Sequence, residues 1–240
     1  VVGIGPGGPL DRTRRAEQAI ASSTVVVGYG RYLELIRDLT DGKETVSTGM
    51  TQELPRCRLA LERAREGATV ALVSSGDPGI YGMAGLVLEL AVQKKCRVPI
   101  EIVPGITAAS AAAARLGAPL MLDFAVISLS DLLVPWATIR QRLEAVASAD
   151  LVVALYNPRS HKRVHQLDDA RSIFLAHRPP TTPVGVATAV GTPEEAIVVS
   201  DLGHLLELDV GMRSMVIIGN RSSRRLDTYF VTPRGYRIDA

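Results

Sequence analysis

Thr69-Val70-Ala71-Leu72-Val73 runs without a break into Ser74-Ser75-Gly76-Asp77-Pro78-Gly79-Ile80-Tyr81-Gly82-Met83-Ala84, and a helical pattern then runs from Gly85 to Gln93. A short apolar run bounded by turn residues reads as a buried strand. Strand, tight turn and helix start in that order are the unit of an open α/β sheet, whose ligands bind outside the carboxyl ends of the strands. Gly76, Gly79, Gly82 and Gly85 let the backbone approach a ligand with no Cβ in the way. Asp77 offers an ionised acceptor at the apex, suited to a ribose hydroxyl or a ligand amine. A plain βα turn with Asp77 as helix cap is the default alternative. The length of the turn and its glycine density favour a binding site.

Two further turns have the same form. Val1 to Ile4 is a short buried strand that runs into Gly5-Pro6-Gly7-Gly8-Pro9, with Asp11 or Thr13 as the cap of the next helix. Val98 to Val103 reads as a strand that opens into Pro104-Gly105-Ile106-Thr107-Ala108. Three such turns on one sheet edge would share a pocket. Strands at Thr24–Val27 and Glu44–Val46 and helices at Arg31–Leu39 and Leu54–Glu66 lie between them. In the last of these, Leu54, Cys57, Leu61 and Ala64 share one face, with arginines opposite. The alternation predicts an open, mostly parallel sheet. Gly117-Ala118-Pro119 reads as a joint, giving an N-terminal domain 1–117 and a C-terminal domain 118–240. Beyond it, strands at Phe124–Ser128, Leu151–Leu155, Pro183–Thr188, Ala196–Ser200 and Ser214–Ile218 and helices at Trp136–Ala147 and about Arg163–His177 predict a mixed sheet with antiparallel pairs near its end.

Composition excludes several classes. The chain of 240 residues carries a formal net charge of +2, too small to imply a nucleic-acid partner. Only four of its 27 basic residues are lysines. An arginine excess suits bidentate recognition of carboxylates or phosphates, and equally a GC-rich genome. The longest apolar region, Ile106 to Val126, is interrupted by Arg115, Pro119 and Asp123 and does not read as a membrane span. No targeting segment opens the chain, and Cys57 and Cys96 form no C-x-x-C, which fits buried thiols in a reducing compartment. These features read as a cytoplasmic protein without a membrane or nucleic-acid partner.

Motifs narrow it further. Gly3, Gly5 and Gly8 satisfy G-x-G-x-x-G, but Pro6 and Pro9 remove N–H groups that a pyrophosphate would need. The next strand ends in Gly28-Tyr29-Gly30, with no acid for a ribose. Neither a P-loop nor a G-x-S-x-G elbow occurs. His161 and His165 have the spacing of two metal ligands on a helix, yet Lys162 and Arg163 beside them would repel a cation, so they read as a solvated helix start and no metal site is expected. Ser128-Leu129-Ser130-Asp131 places three polar groups after a strand, as ligand contacts or as a helix cap. Tyr156-Asn157-Pro158 is a fourth ligand-facing turn or a simple strand end.

Taken together, Gly3-x-Gly5-Pro6-Gly7, Ser75-Gly76-Asp77-Pro78-x-x-Tyr81-Gly82 and Val103-Pro104-Gly105-Ile106-Thr107-Ala108 resemble the tetrapyrrole methylase family over essentially the whole chain. The resemblance implies a two-domain α/β fold, with a mostly parallel N-terminal sheet, a mixed C-terminal sheet and the active site in the cleft between them. It implies S-adenosylmethionine as methyl donor, S-adenosylhomocysteine as product, a tetrapyrrole substrate and a homodimer. Ser47-Thr48-Gly49-Met50, Asp123 to Trp136, Leu155 to Ser160 and Thr232-Pro233-Arg234-Gly235-Tyr236 are similar to the branch that methylates precorrin-3B at C17 with ring contraction to precorrin-4. The cobalt-bearing counterpart acting on cobalt-factor III, or another precorrin methylase, is the alternative. Leu122 stands where that branch often has histidine, and Ala187 to Glu195 lacks its expected arginines.

Carried over by position, Pro6, Ser75, Gly76, Asp77, Ile80, Thr107, Ala108, Tyr156, Asn157, Val190 and Ser214 are the implied cofactor contacts. The substrate's carboxylates call for arginines, with Arg31, Arg159 and Arg213 nominated by their nearness to the expected loops. Contraction needs proton transfer, for which Asp123, Ser128 and Asp131 are the candidates.

Overall fold

The computed structural model describes residues 1–237. The chain forms two compact units, Val1–Ala108 and Ala109–Ala240. The first contains β1 (Val2–Gly3), α1 (Arg14–Ala21), β2 (Val25–Tyr29), α2 (Gly30–Leu35), β3 (Glu44–Thr48), α3 (Glu53–Arg65), β4 (Val70–Ser74) and α4 (Ala84–Gln93). Its four strands are all parallel, in the order β1-β4-β2-β3. A parallel sheet is covered on both faces, so its strands read as continuous apolar runs. β2 shows this directly: Val25 and Val27 pack with Cys57, Leu61, Leu72, Val87 and Leu90 on one face, while Val26 packs with Val2, Ile4, Ile20 and Val73 on the other. Of the two expected caps for α1, Thr13 is the one used, accepting the Ala16 N–H at 3.1 Å.

The structure corrects three expectations in this unit. Val98 to Val103 makes no ladder: Val103 alone pairs, bridging to Val2. Its N–H donates to the Val1 carbonyl and its carbonyl accepts from Gly3 N–H, both at 2.9 Å. Pro99 removes a ladder donor within that segment. The buried stripe of α3 is Arg56, Cys57, Ala60 and Leu61, while Leu54 is exposed. Arg56 is therefore turned inward, 2% exposed. It donates to Thr48 Oγ1 at 2.5 Å, the Gly49 carbonyl at 2.7 Å and Met83 Sδ at 3.5 Å. The helix expected over Arg31–Leu39 ends at Leu35, followed by a 3-10 turn at Arg37–Leu39.

The second unit takes in α5 (Ala108–Leu116) from Ala109 onward, then β5 (Gly117–Ala118), β6 (Phe124–Ser128), α6 (Trp136–Ser148), β7 (Val152–Tyr156), α7 (Gln166–His177), β8 (Pro183–Thr188), β9 (Ala196–Asp201), β10 (Ser214–Ile218), β11 (Arg224–Leu226) and β12 (Tyr229–Val231). The main sheet has the order β6-β7-β10-β8-β9, with β6 parallel to β7 and every other pair antiparallel. Its core joins Ile127, Leu143, Leu155, Phe174, Val186 and Val216. A second sheet, β11-β12-β5, was not legible in the sequence, because strands of two or three residues carry no periodicity. The division between units falls ahead of the joint expected at Gly117. Leu116 is fully buried, and its side chain lies where a Cβ on Gly185 of β8 would stand, 2.5 Å away. That contact binds α5 to the main sheet. Among the described residues no helix is long and apolar enough to cross a membrane.

Candidate active site

In the first unit, the three glycine turns converge on one another. Gly5 N–H donates to the Gly76 carbonyl at 3.2 Å and Gly76 N–H donates back to the Gly5 carbonyl at 2.7 Å. A Cβ on Gly3 would lie 2.7 Å from Gly105 N, Gly76 O and Pro78 Cδ. Asp77 holds the third turn to the second: its Oδ1 accepts the Gly79 N–H at 2.8 Å and its Oδ2 the Gly105 N–H at 3.1 Å. The glycines that the sequence marks as room for a ligand thus serve, at Gly3 and Gly105, to let backbone lie against backbone. Gly76 adopts φ +64°, which glycine enters at no steric cost.

Around this junction the structure assembles Pro6, Ser75, Gly76, Asp77, Ile80, Thr107 and Ala108. Gly76 is buried, Pro6, Ser75, Asp77, Thr107 and Ala108 are half-buried, and Ile80 is exposed beside Tyr81, which holds φ 52°. Among the described residues the Ser75 hydroxyl has no partner, and each Asp77 oxygen keeps a lone pair. The turns thus present a polar rim beside an exposed apolar side chain at Ile80.

The second unit gathers the other candidates on one edge of its main sheet. Ser128 lies opposite Tyr156 across β6 and β7. The β7/β10 register pairs Leu155 with Val216, and continued outward it sets Asn157 opposite Ser214. Ser214 pairs in turn with Thr188 of β8, their hydroxyls 2.7 Å apart. Val190 follows in the turn after β8, where Ala189 holds φ 52°. Glu195 accepts the Gly191 N–H at 2.7 Å, the main influence holding its carboxyl below the usual range, and also pairs with Arg115. At the head of α5, Ala109 N–H donates to the Tyr156 hydroxyl at 3.0 Å.

Beyond Ser128 lie two sets of polar contacts. Asn157 Nδ2 donates to Ser128 Oγ at 3.0 Å, and Ser130 N–H donates to the same oxygen at 3.2 Å. Arg163 Nε donates to the Asn157 carbonyl at 2.7 Å, and Gln166 Nε2 donates to Asp131 Oδ2 at 2.9 Å. Ser128 and Asp131 thus lie three residues apart at the same end of β6, with no hydrogen bond between their two sets of partners among the described residues. Asp123 does not: it precedes β6 at the opposite end, about 16 Å along a strand that rises ~3.3 Å per residue. Of the nominated arginines, Arg159 pairs with Asp168 at 3.0 Å and Arg213 with Glu194 at 3.4 Å. Arg31 is exposed.

Arg163 and Gln166 were missed in the sequence, since nothing in a loop's spacing shows which of several cations turns back onto the strand ends. Arg56 was missed as well, although it stands four residues from Ala60 on the buried stripe, a spacing that marks a shared helix face. His161 and His165 are exposed. Among the described residues no group of three or more His, Cys, Asp or Glu side chains could hold a metal ion. Burial pushes the Cys57 thiol up to about 11, which makes it an inert core group.

A parallel sheet edged by glycine turns, followed by a mixed sheet with one polar end, defines a two-unit α/β protein. Residues 1–206 match the family model of the Tetrapyrrole (Corrin/Porphyrin) Methylases. A probable cobalt-factor III C(17)-methyltransferase of Salmonella typhimurium is 46% identical, covering 99% of each chain. The cobalt-factor III methyltransferase of Priestia megaterium is 44% identical over 99% of this chain, which spans 45% of that longer protein. A precorrin-3B C(17)-methyltransferase of Sinorhizobium sp is 39% identical, over 98% of this chain and 96% of its own. Among solved structures, the methyltransferase CobJ superposes with a TM-score of 0.90 at 39% identity, covering 97% and 98% of the two chains. A uroporphyrin-III C-methyltransferase from Thermus thermophilus, complexed with S-adenosyl homocysteine, gives 0.68 at 25% identity over 91% and 90%. The chain belongs to the tetrapyrrole methylase family. It is a methyltransferase.

Proposed function

We propose that the protein transfers a methyl group from S-adenosylmethionine to C17 of a ring intermediate of cobalamin biosynthesis and promotes contraction of that ring. The observation that carries this reading is the polar cluster at the ends of β6 and β7, in which Ser128 and Asn157 are joined through Ser130 and Arg163, while Asp131, next in the chain to Ser130, accepts from Gln166. Relatives at 44–46% identity are named for cobalt-factor III and one at 39% for precorrin-3B. The cobalt-bearing ring is therefore the first substrate to test and the metal-free one the second.

S-adenosylmethionine, when bound, supplies an electrophilic methyl group. The protein's part is to position and to exclude water, since a near-attack geometry alone lowers such a barrier by several kcal/mol, up to about 7–11 in the best cases. Ser75, Gly76, Asp77, Ile80, Thr107, Ala108 and Pro6 of the first unit are the proposed cofactor contacts, with Tyr156, Asn157, Val190 and Ser214 of the second. None is a strong nucleophile that would compete for the methyl group. Ser128 and Asp131 are the proposed groups for proton transfer during contraction. We further propose a cytoplasmic homodimer. The exposed apolar side chains of Met121, Leu122 and Phe124 suit contact with a second copy.

The test is turnover of cobalt-factor III and precorrin-3B in parallel, read by mass and NMR of the product. Methylation at C17 with contraction is expected for one of them. Absence of methyl transfer to either would sink the reading, as would tight binding of NADPH with none of S-adenosylmethionine. Within the working enzyme, Asp131→Asn should slow contraction by about 10²- to 10⁴-fold, the usual share of general acid–base catalysis. Asp123→Asn should leave it unchanged.

A further inference from the structure

The turn between β7 and α7 contains an arginine that is held in place yet has no acid partner. Its backbone is fixed by a reciprocal pair: Ser160 N–H donates to the Arg163 carbonyl at 3.0 Å, and Arg163 N–H donates to Ser160 Oγ at 3.1 Å. Its guanidinium is fixed by Nε donating to the Asn157 carbonyl at 2.7 Å and, more loosely, by Nη1 to Ser130 Oγ at 3.4 Å. Asn157 holds φ 50°, a left-handed conformation that sets the direction of the strand end there. No carboxylate lies within ion-pair distance of Arg163 among the described residues, and Nη2 has no partner there. Neighbouring arginines differ: Arg159, Arg115 and Arg213 each pair with an acid, and Arg178 donates to the Gly219 and Leu151 carbonyls. Partial burial lowers the Arg163 pKa, with Asp131 opposing from a distance. A half-buried guanidinium that lacks a counter-ion is stabilised by any carboxylate that reaches it. Three residues along from Ser130, Leu133 is 91% exposed, and Leu132 beside it is 73% exposed. A loop that leaves two leucines in water within three residues of Ser130, itself in contact with this cation, suits a ligand that is apolar in its body and acidic at its rim.

We propose that Arg163 is a specificity-determining residue whose free guanidinium edge binds a carboxylate of the ring substrate. This rests on the methyltransferase reading above. The geometry suits Arg163 to such binding, because with Nε and Nη1 held, little rotamer freedom remains to be lost. The bond is charge-assisted, of a kind whose loss costs about 1.5–3 kcal/mol, roughly 10- to 100-fold in affinity.

The experiment compares Arg163→Gln, Arg163→Lys and the exposed Lys162→Gln, which makes the same charge change one residue away. Each is assayed for substrate KM and kcat, for S-adenosylmethionine Kd by calorimetry, and for binding of uroporphyrin III, a carboxylate-rich ring, by fluorescence. Arg163→Gln should raise KM and the uroporphyrin Kd by about 10- to 100-fold, with S-adenosylmethionine affinity unchanged. Arg163→Lys should recover part of the loss, since it keeps the charge without the fork, and Lys162→Gln should change neither. An unchanged KM and uroporphyrin Kd in Arg163→Gln overturns the proposal, as does a parallel fall in S-adenosylmethionine affinity, which would mark a general distortion. If wild-type protein methylates no ring yet binds uroporphyrin in an Arg163-dependent way, the methyltransferase reading fails while the carboxylate site stands.

Discussion

Gly3→Ala tests whether the first unit is held by backbone lying on backbone. The new methyl group would meet Gly105 N, Gly76 O and Pro78 Cδ, all at 2.7 Å, whereas ordinary contacts begin near 3.4 Å. Two of the three neighbours are main-chain atoms and cannot rotate away, so the turns must part by several tenths of an ångström. Overpacking of this kind costs about 1–3 kcal/mol. Parting the turns also weakens the reciprocal Gly5–Gly76 bonds, each worth about 0.5–1.5 kcal/mol net. A total near 3 kcal/mol corresponds to about 6–12 °C in Tm for a chain of this size. Gly85→Ala is the control: nothing lies within 4 Å of its Cβ position, and alanine in a helix gains up to about 1 kcal/mol over glycine. Thermal melts of the two variants should therefore move in opposite directions. A Gly3→Ala protein melting within about 1–2 °C of wild type, the span of a neutral surface change, would refute the interlock as a source of stability.

Asp77→Asn should cost about 1–3 kcal/mol, because one amide oxygen cannot accept both the Gly79 and the Gly105 N–H and its NH₂ would face a donor. Urea unfolding should show the loss, and calorimetry a weaker affinity for S-adenosylmethionine. At low pH the Arg12–Asp38 pair gives a further expectation. Its hydrogen bonds from Arg12 hold the Asp38 carboxyl below the ordinary 3.8. A depressed folded-state pKa makes its contribution complete above 3.8 and progressively lost as pH falls through the lower folded value. Acid unfolding followed by circular dichroism should therefore show Asp38→Asn less stable than wild type near neutrality, with the gap closing in strong acid. A constant gap at every pH would contradict the assignment.

Most strands of the four-stranded and five-stranded sheets were legible because they are apolar runs, and the Ser75–Gly82 turn because its glycine spacing is dense. What stayed hidden depends on direction rather than pattern. That Gly3 and Gly105 face each other across a hundred residues is a tertiary fact, and glycine spacing alone reads equally well as room for a ligand. The same holds for arginines: Arg159, Arg163 and Arg213 all lie in loops near the second sheet, and only coordinates show two of them paired with acids and the third turned back onto Asn157. Asp123 and Asp131 looked equivalent as acids flanking one strand. A strand of five residues necessarily puts its flanking residues at opposite edges of the sheet. Val98–Val103 failed as a strand for a local reason, Pro99, that was visible in the sequence.

The interlock of the three turns also fixes how this edge can move. The amides of Gly3, Ile4, Gly5, Gly76, Val103 and Gly105 each donate to a partner on another turn or strand: Val103, Ser74, Gly76, Gly5, Val1 and Asp77 in that order. None can be exposed to solvent by fraying of a single loop, so all six should exchange hydrogen at one common rate, as members of one cooperative unit. Slow opening of that unit cannot serve as a gate on the turnover time scale. Motions that admit a ligand are left to exposed side chains such as Ile80 and Leu10.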